Sequence, residues 1–438
     1  VGEPMTLLQR IQELQFDDPK EAEQLLLTFI RERFPDLNAQ AVELRPQVIS
    51  LNSFNGFLTL QDGRRLFFKT HTEEDNVIGE YYNAQMLADA GYPVIQPLHS
   101  STQAGQHLLI YDLIEDPSVF DVAWQIEQGE AEDLAAPLGM AQNKADRHLL
   151  EYYKRTLFPQ TGQDAAEAPI HQLFYHRLQG GRFERFYGAL PGNRGKRLYI
   201  KLPGNRSFSI YKVRKAQWVI NGQRYDESLD DLVTSALELL DPAQPGSSII
   251  GHGDAHNGNV FFQHDDKAEP SLLYFDPAFA GRHNPLLDLV KPLFHNVFAM
   301  WMYYPQIKHD ALEISMRYTR RTFHVDHNYT LPPIREMFLF SKVDRVLIPI
   351  LQELRARGEL RLDWRRYLKA ALMCCPLLTL NLADNDRFTP EISLLGLTMV
   401  MEMGAESQGE RSLIDRTLDR VARVLAMDTA APSDRWYG

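Results

Sequence analysis

Cysteine is almost absent from this 438-residue chain: only Cys374 and Cys375 occur, and neighbours in sequence rarely close a relaxed disulfide with each other. A disulfide-stapled fold is thereby excluded, and a reducing cytoplasm is the expected compartment. Long apolar runs are missing too. The longest, Ala370 to Leu380, is interrupted by Pro376 and falls short of the about 20 residues that cross a bilayer, so no membrane partner is expected. No Pro/Ser or Gln/Asn tract suggests extended disorder, and no basic stretch leads into an apolar core and cleavage site, which argues against secretion. The remaining composition, 44% hydrophobic and 24% charged, is that of a soluble protein large enough for two lobes.

Charge of one sign is in excess, but unevenly. The net charge of −12 argues against nucleic acid as a partner of the whole surface. Between Arg177 and Arg224, however, twelve Lys/Arg residues face a single acid, Glu184, which makes that segment +11 and the remainder −23. Aromatic residues interleave with these charges, from Phe183 to Trp218. Three readings stay open for the segment: a solvated β insertion, a binding surface for an acceptor carrying phosphate or carboxylate, and a nucleic-acid surface.

Apolar residues recur at helical spacing from Met5 to Phe34, with a break at Asp17-Asp-Pro19, so residues 1–40 read as a helical preface. Strands follow at Val48–Leu51, Phe57–Leu60 and Arg65–Lys69, with a polar loop at Asn52-Ser-Phe-Asn-Gly56 between the first two. A helix from about Val77 to Ala90 is stopped by Gly91 and Pro93, and a further strand, His107–Tyr111, leads to a hinge at Glu115-Asp-Pro117. Ser118 to Leu157 has helical composition. The basic segment, about 175–228, reads as strands at Arg197–Leu202, Ser207–Lys212 and Gln217–Tyr225, the last folded at Asn221-Gly222. A helix runs from Ser228 to Leu240, a short strand is expected at Ile249-Ile250, and from Leu286 the pattern is helical almost to the end.

The run Gly251-His-Gly-Asp-Ala-His-Asn-Gly-Asn259 precedes two short apolar strands, Val260–Phe262 and Ser271–Phe275, and then Asp276. A hairpin brings its open ends together, so Asn259 and Asp276 are expected side by side with Asp254 facing the same space. An amide oxygen and a carboxylate suit magnesium completed by phosphate oxygens, and leave Asp254 to accept a hydroxyl proton. That division of labour is what phosphoryl transfer needs.

With its order and spacing, the block from His252 to Asp276 resembles the catalytic and metal-binding loops of the aminoglycoside phosphotransferase and choline kinase superfamily. Asp276-Pro-Ala-Phe-Ala-Gly281, Asn284-Pro285 and Asp288-Leu289 are similar to that family's continuation. The resemblance implies an α+β, protein-kinase-like fold of two lobes: a small antiparallel sheet lobe at 41–114 and a mainly helical lobe at 115–438 carrying the β insertion. It further implies Asp254 as catalytic base and Asn259 and Asp276 as magnesium ligands. ATP would be bound by Lys69, Glu80, the Ser53, Asn55 and Gly56 loop, and backbone near Asp112 and Ile114. His256 and Arg282 are placed near a small-molecule acceptor. Two departures stand out: the 53–56 loop is poor in glycine, and Asn257 occupies a position where the family often has proline.

Plainer readings exist for each residue. Asp254 could cap a turn, Asn259 and Asp276 could close a hairpin, Lys69 could be a solvated strand end, and Glu80 a surface acid. His252, Asp254 and His256 could instead ligate zinc in a hydrolase. A pseudokinase that binds nucleotide and acts through partners is the remaining alternative. The oligomeric state and the acceptor are not written in the sequence.

Overall fold

The computed structural model describes residues 6–45, 53–71, 74–101, 107–204, 206–265 and 267–427, with only the backbone of residues 53, 71 and 74–80. The expected strand Val48–Leu51 lies outside the described residues. The chain divides into two compact units, Val1–Pro117 with Leu273–Ala280, and Ser118–Leu272 with Gly281–Gly438.

In the first unit two helices, Leu7–Asp17 and Pro19–Arg33, begin at good caps. The Thr6 and Asp18 side chains accept from the Gln9 and Glu21 amides, and Pro19 occupies the first turn, where its missing N–H costs nothing. An antiparallel sheet follows: Ala39–Leu44, Ser53–Leu60, Arg65–His71, Leu108–Asp112 and His99–Ser101 in that spatial order. Side chains alternate between its faces. Leu58, Leu66, Phe68 and Ile110 turn to one side and form a single core with Leu8, Ile11, Leu26 and Ile30 of the two helices. The expected preface is thus the cover of one sheet face. On the other face Lys69 lies opposite Leu109, with Phe67 and Tyr111 beside them.

The sequence expectation fails at residues 53–56. The polar stretch is continuous strand, in register with Arg65–His71 so that Asn55 faces Lys69. Gly56 has a packing reason here: a Cβ would sit 2.1 Å from the Glu43 carbonyl oxygen of the adjoining strand. The helix spans Glu74–Asp89. The segment after Leu272 joins this unit through Tyr274, which bridges to Val94 and exchanges backbone hydrogen bonds with Pro93 and Ile95.

The second unit is mainly helical. Pro285–His295, buried along its whole length, packs on Trp364–Leu378, which packs in turn on Pro390–Gly404. The basic segment is less uniformly β than expected. Strands Tyr199–Leu202 and Arg206–Ser209 pair, but Ile210–Arg214 is a short helix, and Tyr175–Gln179 and Arg182–Tyr187 are helical. Gln217–Ile220 and Gln223–Tyr225 do turn at Asn221-Gly222, both in the left-handed region. The helical expectation after Leu286 is corrected at Ile314–Thr319 and Thr322–His327, a hairpin whose second strand runs parallel to Gln217–Ile220. Among the described residues no helix is long and apolar enough to cross a membrane.

Candidate active site

Strand Gly246–Gly251 is the middle member of a three-stranded sheet, between Gly281–His283 and Phe158–Gln160. It delivers the chain into the loop His252–His256. Gly251 is pressed against the Asp288 side chain, where a Cβ would come within 2.6 Å of Cγ. Gly253 has φ +78°, a conformation glycine enters without strain, and its amide donates to Asp288 Oδ1 at 2.6 Å. Asp288 is fully committed: His283 Nε2 lies 3.0 Å from the same oxygen, and the Tyr153 hydroxyl donates to the other. Burial alone would push its carboxyl up, yet His283, Tyr153 and the Gly253 amide hold it below the usual carboxylate range.

Beyond Asp254 the chain closes a one-turn 3₁₀ helix, Asn257–Asn259. The Asp254 carbonyl accepts from the His256 amide at 2.8 Å and from Asn259 Nδ2 at 2.9 Å. His256 Nδ1 accepts from the Gly258 amide at 3.1 Å, so this ring caps the turn, and its Nε2 is 3.9 Å from Asp254 Oδ1. The Asn257 amide donates to Asn296 Oδ1 at 2.7 Å. Proline could not make that bond, which gives the departure at this position a physical use.

Sequence reasoning missed what lies behind the carboxylate. Lys291, 5% exposed, places Nζ 3.3 Å from Asp254 Oδ1 and 3.3 Å from His295 Nε2. An ammonium can only donate, so Nε2 accepts, Nδ1 carries the proton and donates to the Tyr303 hydroxyl oxygen at 2.7 Å. Burial, reinforced by the Lys291 charge, holds His295 well below the ordinary imidazole value and therefore neutral. Burial would also raise Asp254, but Lys291, with His256 and His252, outweighs it and the carboxyl lies below the usual range. The legible signal for Lys291 was a cation inside the apolar run Leu286–Phe294.

Arg282 Nη1 donates to the Thr156 carbonyl at 2.8 Å. His252 is fully buried. Cys374 and Cys375 are buried free thiols.

In the first unit Lys69 Nζ meets Asp276 Oδ1 at 2.8 Å. Asp276 has φ +53°, unusual outside glycine, so the turn that presents it is a special one. Asn83 Nδ2 donates to the Pro277 carbonyl at 3.1 Å and fixes the next residue. Glu80 belongs to the helix Glu74–Asp89, but its side chain, like that of Ser53, lies outside the described residues. Asp112 ends its strand exposed, with Ile114 on the irregular stretch after it.

Strands Val260–Gln263 and Ser271–Tyr274 pair as a two-stranded sheet. Among the described residues no three His, Cys, Asp or Glu side chains gather to hold a metal ion.

The chain is similar to several solved structures. A ligand-free thermostable mutant of aminoglycoside phosphotransferase APH(4)-Ia is 12% identical, with 86% of this chain and 97% of that one covered and a TM-score of 0.42. A putative fructosamine-3-kinase from Thermobifida fusca is 14% identical, with 85% and 96% covered and a TM-score of 0.40. Amicoumacin kinase hAmiN, in complex with AMP-PNP, Ca2+ and Ami, is 14% identical, with 90% of each chain covered and a TM-score of 0.33. No curated protein matches the chain in sequence. The family model APH, described as the phosphotransferase enzyme family, matches residues 47–302, more than half of the chain. That span takes in Lys69, Asp254, Asn259 and Asp276 and stops within the short helix Met300–Tyr303, and the chain belongs to the phosphotransferase enzyme family.

Proposed function

We propose that this phosphotransferase moves the terminal phosphoryl group of ATP, with magnesium, to a hydroxyl of a small-molecule acceptor such as a sugar, an amino alcohol or an antibiotic. The observation that carries the reading is Asp254, a carboxylate kept ionised by a buried ammonium on a loop whose backbone is pinned at Gly253, His256 and Asn257. Held ionised, the group is in the protonation state that a proton acceptor needs.

Asn259 and Asp276 carry the donor chemistry that the implied cation takes. The Asn259 amide nitrogen is committed to the Asp254 carbonyl, leaving Oδ1 as its ligating atom, and Asp276 brings a carboxylate. Both are the hard oxygen donors magnesium takes. Bound Mg·ATP supplies the phosphoryl group and neutralises the charge that moves with it. In this reading Asp254 orients the acceptor hydroxyl and takes its proton as the new O–P bond forms and the bond to ADP breaks. Lys69, partnered with Asp276 before nucleotide arrives, neutralises nonreacting phosphates. Residues 41–114 serve as the nucleotide-binding lobe, with Asp112 and Ile114 at the adenine, and 115–438 carries the catalytic and metal loops. The zinc-hydrolase reading is disfavoured because His256 Nδ1 is already held by the Gly258 amide.

A screen of sugars, amino alcohols and antibiotics for acceptor-dependent ADP release tests the reading. ADP release that stops with EDTA and returns with magnesium is expected. Acceptor cleavage without ATP, stopped by a zinc-selective chelator in excess magnesium, would contradict it.

A further inference from the structure

Arg177 opens the basic segment and sits on the short helix Tyr175–Gln179. It is half-buried, and among the described residues its guanidinium makes no hydrogen bond and no ion pair. Other withdrawn arginines of this unit do not go unpartnered. Arg214 holds Asp230 and the Tyr187 and Ala189 carbonyls, Arg335 holds Glu127 and the Asn296 carbonyl, and Arg182 holds the Leu378 and Thr379 carbonyls. Withdrawing a cation from water without a counterion is costly, and such groups persist where a ligand completes them.

The groups around Arg177 cannot act as that counterion. The carboxylate its charge reaches is Asp254, already paired with Lys291, and the other groups are the buried thiols of Cys374 and Cys375, which burial keeps protonated. Lys291 and Arg177 therefore set two cations against one anion, the proton acceptor Asp254. The residues that composition offered for an anionic acceptor, Arg194, Lys196 and Arg197, lie on an exposed loop. Their charge is solvated.

We propose that Arg177 is an acceptor-binding residue that receives a carboxylate or phosphate group carried by the acceptor itself, so that the hydroxyl presented to Asp254 belongs to an anionic metabolite. This rests on the phosphotransferase reading above and narrows its acceptor class. A guanidinium suits either anion, because its fork presents parallel donors to two oxygens.

Matched probes test it. With Mg·ATP saturating, ADP release is compared for glycerol, D-glycerate and glycerol 3-phosphate, and for glucose, gluconate and glucose 6-phosphate. In parallel, calorimetry measures D-glycerate and inorganic phosphate binding to protein already saturated with Mg·AMP-PNP, which occupies the nucleotide's own phosphate contacts. The anionic member of a set is expected to be preferred by about tenfold or more in kcat/KM, with the carboxylate and phosphate arms showing which anion is read. Arg177→Met is expected to collapse that preference and weaken anion binding by about tenfold while KM for ATP stays put, with Arg177→Lys intermediate. Equal anion binding by the native protein and Arg177→Met, binding by neither, a preference for neutral acceptors, or a raised KM for ATP would each overturn the inference. Acceptor-dependent ADP release with neutral compounds would leave the phosphotransferase reading standing, whereas anion binding with no ADP release from any acceptor would count against that reading instead.

Discussion

Lys291 Nζ stands 3.3 Å from Asp254 Oδ1, and both groups are withdrawn from solvent. Its other contact is a neutral imidazole, so the ammonium's charge acts mainly on the carboxylate. The expected consequence is an acid limb of kcat/KM below the ordinary carboxylate range: Asp254 stays ionised, and activity falls only as pH drops through its lowered pKa. Lys291→Met removes the largest pull against burial and leaves only those of His256 and His252. The limb is then expected to move to higher pH and kcat to fall by roughly ten- to a hundredfold, with KM for ATP little changed. A pH–rate profile of both proteins checks it.

Lys69 and Asp276 form an ion pair within the first unit, and their loss is expected to show in different constants. Lys69→Met is expected to weaken nucleotide binding by about tenfold, while Asp276→Asn lowers kcat by about a hundredfold or more and raises the magnesium concentration needed. Titrations of ATP and magnesium separate the two.

How much of this was legible depended on how local the signal was. The block from Asp254 to Asp276, the Asn221-Gly222 turn and the strand carrying Lys69 are read from neighbours within a few positions. Residues 53–56 misled because Ser, Asn and Gly are typical loop residues, although the strand is interior to the sheet and Gly56 is there to let Glu43 approach. The hairpin Ile314–His327 was hidden because its partner strand lies about a hundred positions earlier and Arg320 and Arg321, not Asn-Gly, make its left-handed turn. Lys291 reaches Asp254 from a later helix, with His295 and Tyr303 behind it, a convergence no spacing rule encodes.

Gly251 is expected to tolerate no side chain. A Cβ there would displace the Asp288 carboxylate and the His283 ring, 2.6 and 2.7 Å away, and with them the Gly253 amide contact. Gly251→Ala should cost about 1–3 kcal/mol in chemical unfolding and lower kcat more than it raises KM for ATP.

Glu402 offers a pH test of stability away from the site. Burial raises its carboxyl to about 7, against the pull of Lys369. The folded chain thus holds a proton that the unfolded chain releases near the ordinary glutamate value. Its contribution is complete below that value, is lost as pH rises through about 7, and amounts to on the order of 3 kcal/mol across the window. Glu402→Gln, which cannot ionise, is expected to have a higher Tm than the native protein at pH 8, with the gap closing toward pH 4.5.

The most direct test of the central claim replaces one oxygen of the proposed base. Asp254→Asn keeps the shape of the loop but removes the proton acceptor, so acceptor-dependent ADP release is expected to fall by about a thousandfold or more while AMP-PNP binds with nearly native affinity. Turnover within a few-fold of the native rate would contradict the account.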